Sequence, residues 1–156
     1  MSKLFWIVFW VTALVLDHYL VQWVLAIQVG KLGFVDGFND AYGYFTPGGW
    51  ALLTAIRLIP YLILAWVVRS SARKQRKVTA GIAWGGFLGI VMMIIASYWA
   101  ALHPMYTGEH VSSTTAIAFV IIPFYAIITG AMGALAGVAV MRVMGMLAAD
   151  RASAGH

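Results

Sequence analysis

Four long apolar runs alternate with short polar stretches along this chain, and the alternation predicts four membrane-crossing helices. The runs cover residues 4–29, 50–68, 78–102 and 115–141. As one helix, the first would be about 39 Å long, enough to cross a hydrocarbon core of about 30 Å with tilt. Asp17 and His18 fall near its midpoint, with Gln22 and Gln28 beyond them. The second run contains Arg57 and Pro60. Proline cannot donate to the carbonyl of Ile56, so a kink is expected beside a buried arginine. Between these runs, residues 30–49 are rich in glycine, yet Phe34, Phe38, Tyr42 and Phe45 recur at helical spacing. That spacing fits a short amphipathic helix at the outer interface, or a loop carrying aromatic belt residues. Asp36, Asn39 and Asp40 lack the spacing of an EF-hand loop. Residues 150–156 read as a flexible tail.

Charge orients these runs. Arg69, Arg73, Lys74, Arg76 and Lys77 form a basic cluster between the second and third. Lys and Arg beside spanning segments are retained on the cytoplasmic side. With that loop inside, eight of the ten Lys and Arg residues are cytoplasmic, Lys31 is external and Arg57 is intramembrane. The expected fold is an all-α integral membrane protein of four transmembrane helices in two antiparallel hairpins. It would sit in the cell inner (cytoplasmic) membrane with both termini cytoplasmic.

Composition agrees. Hydrophobic residues make up 63% and charged residues 10% of the chain, against roughly 45–50% and 25% in soluble domains. The net charge of +5 lies beside apolar spans, where it meets anionic headgroups. It is therefore no footprint for nucleic acid. With no cysteine, disulfides, thiolate nucleophiles and cysteine-based zinc sites are excluded.

Candidate chemistry gathers in two places. Asp17, His18 and Arg57 would lie at one depth if the first two spans are antiparallel neighbours. Charge at that depth is costly and calls for pairing. Such a cluster serves as a structural ion pair, a proton or ion path, or a docking point for another helix. The outer loop holds His103, Met105, Glu109 and His110, a donor set suited to copper or zinc. An ordinary polar turn accounts for the same residues. Bis-histidine haem is disfavoured, because only His18 is deep in a span. Ser112 and Ser113 lie near histidines but in no nucleophile motif.

Small residues supply the remaining signal. Gly81, Gly85 and Gly89 recur every four residues in the third span, and Gly133 and Gly137 do so in the fourth. GxxxG stripes of this kind let helices approach closely. Small size, small-residue faces and no complete catalytic set together favour a non-enzymatic protein acting through helix contacts. It would be an accessory, immunity-type or other membrane partner, within the lipid bilayer, as a homo-oligomer or beside another membrane protein. Two other readings stay open. One is an oligomeric small transporter or channel built on Asp17, His18 and Arg57. The other is a metal- or quinone-linked enzyme using the outer loop.

Overall fold

The computed structural model describes the backbone of residues 1–71, 76–108 and 115–153, with side chains over 1–71, 78–108 and 117–145. Every element within them is helical. In chain order these are α1 (Lys3–Val15), α2 (His18–Gln28), α3 (Phe34–Tyr42), α4 (Pro47–Ser71), α5 (Arg76–Leu102), α6 (Pro104–Thr107) and α7 (Thr115–Ser153).

Three stretches are long and apolar enough to cross a membrane: Pro47–Ser71, Val78–Thr107 and Ile117–Gly145. The protein thus has the architecture of a helical membrane protein. The first apolar run differs from the single helix expected over residues 4–29. It is broken into α1 and α2, whose axes bend by 73°, and only the two together are long enough to cross a membrane. α4 is one continuous helix with Pro60 inside it, and one further difference concerns a helix end. α7 continues to Ser153, well beyond residue 141 and into the expected tail. Leu147, Ala148 and Ala149 are strong helix formers and no proline follows Pro123, so nothing local ends it sooner. The aromatic spacing in the first connecting segment corresponds to a real helix, α3.

α5 and α7 make the most extensive pairing, and α4 packs against both. They run antiparallel in a register that sets Gly81 against Gly137, Gly85 against Gly133 and Gly89 against Thr129. A β-carbon added at Gly85 would stand 2.1 Å from the carbonyl oxygen of Gly133, and one at Gly137 2.2 Å from that of Gly81. The two backbones touch, so even alanine is too large.

α1 is held differently. Phe5 and Phe9 are buried and meet Trp84, Phe87 and Tyr61 with ring centroids 5.1–6.2 Å apart. Large rings keep its axis away from the other helices while still filling the space between them. The buried stripe of α4 reads Thr54, Arg57, Tyr61, Leu64 and Val68, alternating steps of three and four. That period places one helix face inward. It carries an arginine into the centre of the core, where Arg57 is 2% exposed.

Candidate functional site

The break between α1 and α2 is written by two residues. Leu16 has φ −75° and ψ 82°, the geometry of an inverse γ-turn. The Asp17 N–H accordingly donates to the Val15 carbonyl at 2.9 Å. Asp17 is extended (φ −113°, ψ 173°), and its Oδ1 accepts from the Leu20 N–H at 2.7 Å. Aspartate is among the best N-cap residues because its carboxylate meets backbone N–H groups that have no partner inside the helix. A polar residue of this kind inside an apolar run therefore starts a new helix.

Breaking a helix leaves carbonyls at the end of its first half. Arg57 Nη2 donates to one of them, the Leu14 carbonyl, at 3.2 Å. The other Asp17 oxygen, Oδ2, accepts from Trp50 Nε1 at 3.2 Å. Trp50 and Arg57 are two turns apart on α4, so this helix clasps both sides of the break. The electrostatics suit the arrangement. A cation meets the partially negative end of α1 and a carboxylate meets the partially positive end of α2.

The structure brings Asp17, His18 and Arg57 into one buried region. It does not join Asp17 to Arg57 directly: each is tied to a helix end instead. His18 is enclosed by rings, with centroids 4.0 Å from Tyr19, 5.1 Å from Phe119 and 6.3 Å from Tyr98. Below Arg57 on the same face, Tyr61 is fully buried and packs edge-on against Phe9. Arg57 Nε and the Tyr61 hydroxyl are buried without a hydrogen-bond partner among the described residues.

Sequence reasoning missed Trp50, Tyr61, Tyr98 and the Leu14 carbonyl as members of this site. Asp17 carried one legible signal, since aspartate within an apolar run can cap a helix as well as pair with a cation. The partners of a freed carbonyl carried none, because they depend on which helix lies across the break.

At the far end of α2, the connecting helices form a tied cap. Tyr106 on α6 donates to Asp40 on α3, and Trp23 Nε1 donates to the Phe34 carbonyl at 3.1 Å. Tyr42 stacks on Phe38 and Tyr19, with centroids 4.5 and 5.2 Å away. Burial raises the Tyr42 phenol above its ordinary range, with Asp17 and Tyr19 adding to the effect. Of the outer-loop donors, His103 stands at the start of α6 and Met105 is 46% exposed within it. Glu109 and His110 lie outside the described residues. Among the described residues no group of three or more His, Asp or Glu is placed to hold a metal ion. Gly81, Gly85, Gly89, Gly133 and Gly137 all line the α5–α7 contact. No protein-family model, curated protein or solved structure matches this chain.

Proposed function

We propose that the chain is a four-span inner-membrane protein acting through helix–helix contacts with a membrane partner. In this reading α1 and α2 form one broken span, α3 lies at the outer interface, and both termini are cytoplasmic. The GxxxG stripes build its own α5–α7 pair, which leaves a different face for the partner. One observation carries the proposal: a lateral groove of about 390 Å³ between α4 and α7. Pro60, Ile63 and Val67 line one side, and Gly130, Ala131 and Leu135 the other. Leu64, Ile82 and Ile90 make the rest of the lining apolar, Gly130, Ala131 and Ala134 leave room on the α7 side, and Ile63 and Leu135 are 41% and 73% exposed at the flanks. Small residues set among large apolar ones admit the ridge of a further apolar helix.

The deep polar cluster supports the same reading. Asp17 and Arg57 are spent on helix ends, which gives them a structural use without any substrate. The chain has no cysteine, so single cysteines report contacts without background. Ala131→Cys labelled with a benzophenone maleimide, which needs no thiol on the partner, should photocrosslink in native membranes, and the mass of the product separates a second copy from a different protein. Leu88→Cys, on the exposed side of α5, should not. Equal crosslinking at both positions, or none at Ala131, would sink the groove as an interface.

A second reading, a small transporter or channel, draws on the unpartnered Arg57 Nε and Tyr61 hydroxyl beside a broken helix. Helix breaks at membrane depth recur where ions and substrates bind. It requires proton or ion flux in reconstituted vesicles that disappears in Tyr61→Phe. Flux absent from the wild type rules it out.

A further inference from the structure

A second cavity, of about 610 Å³, opens between α1 and α4 at the end of the bundle where α4 runs into the basic connection. Met1, Trp6, Trp10, Leu62, Trp66 and Arg69 line it. Its composition differs from that of the α4–α7 groove, which has no charged lining residue. Here an exposed arginine stands beside three indoles. Among the described residues, the Arg69 guanidinium has no carboxylate partner, and Trp6, Trp10 and Trp66 donate no hydrogen bond. Trp66 is 72% exposed, a costly position for a large ring in water but an ordinary one at the level of lipid headgroups, where indole N–H groups find acceptors.

We propose that this cavity binds one anionic phospholipid. Arg69 takes the phosphodiester, the indoles of Trp10 and Trp66 flank the glycerol region, and an acyl chain lies along Leu62. Charge complementarity selects the occupant. Arg69 opens the basic run that continues through Arg73, Lys74, Arg76 and Lys77. Basic clusters at the cytoplasmic end of spanning helices face a leaflet rich in anionic lipid. Two helices separated by bulky rings, as α1 and α4 are at Phe9 and Tyr61, leave a cleft that lipid can enter sideways. A free phosphate ion would use Arg69 but would have no use for the apolar wall.

The inference rests on the membrane reading above and is independent of the α4–α7 interface. Native mass spectrometry of the full chain in mild detergent tests it, using added phosphatidylglycerol and phosphatidylcholine. The wild type should retain one phosphatidylglycerol in preference to phosphatidylcholine. Arg69→Gln should lower that retention about fivefold, the effect of one basic residue at an anionic membrane surface. Trp66→Leu should also lower it, and neither change should alter thermal stability, since both side chains are exposed. Arg142→Gln tests simple surface attraction, because Arg142 is exposed at the same end of the bundle. Its retention should match the wild type. Equal retention of the two lipids, equal losses in the two arginine variants, or full displacement by inorganic phosphate would overturn the proposal. Release of the protein from membranes by alkaline carbonate without detergent would instead defeat the membrane reading itself.

Discussion

Asp17 and Arg57 illustrate how two buried charges can be accommodated without touching. A direct ion pair and a clasp on two helix ends make opposite predictions for the mildest substitution. Asparagine caps helices about as well as aspartate, so Asp17→Asn should keep the bond from Leu20 and lose about 1 kcal/mol or less. Asp17→Ala removes the cap and leaves the Trp50 N–H without its acceptor, for a loss of about 2–4 kcal/mol. Were the pair direct, Asp17→Asn alone would strand the arginine and cost about 3–5 kcal/mol. Denaturation of both variants in the same detergent separates the two cases. Tyr61 offers a complementary test. Its hydroxyl is buried with no partner among the described residues, so Tyr61→Phe should be neutral or stabilising by up to about 1 kcal/mol. Marked destabilisation would mean that the hydroxyl is satisfied by a bound water or ion.

At the scale of elements, two packing styles coexist. The α5–α7 pair is a backbone contact through glycines, whereas α1 stands off on phenylalanine and tryptophan rings. The former is intolerant of volume. Gly85→Ala should destabilise the protein by at least about 2 kcal/mol, because its β-carbon would lie 2.1 Å from the Gly133 carbonyl oxygen and backbone must shift. Gly145→Ala, on α7 with nothing within 4 Å, should be neutral or stabilising by up to about 1 kcal/mol. Similar melting temperatures for the two variants would remove the glycine contact from any account of stability.

Topology belongs to the whole molecule, and it turns on whether α1 and α2 together cross the membrane. If they do, Ser2 and Ser71 share the cytoplasmic side while Gly37 is external. If they do not, Ser2 and Ser71 lie on opposite faces, since α4 alone would separate them. Cysteines at these three positions, in a chain that has none of its own, can be labelled from either side of sealed vesicles with an impermeant maleimide. Labelling of Ser2→Cys and Ser71→Cys from opposite sides would defeat the four-span arrangement.

Hydropathy by itself determined the helical membrane architecture and three of its long apolar helices. Twenty apolar residues in succession have few ways to satisfy their backbone in lipid other than a helix. The glycine spacing likewise marked which faces could approach closely, since the period of a helix is local. Asp17, His18 and Arg57 stood out for the same reason: charge is conspicuous in an apolar run. What these residues bind was decided only by tertiary structure. Asp17 reads as a pairing partner along the chain, but the inverse γ-turn at Leu16 makes it a cap, and α4 then brings Trp50 to its second oxygen. The acceptor of Arg57 is a backbone carbonyl, which every residue carries and no sequence pattern distinguishes. The register of α5 on α7 and the clefts beside α4 are non-local too. They arise from the volumes of side chains on different helices, glycine closing one contact and aromatic rings holding another open.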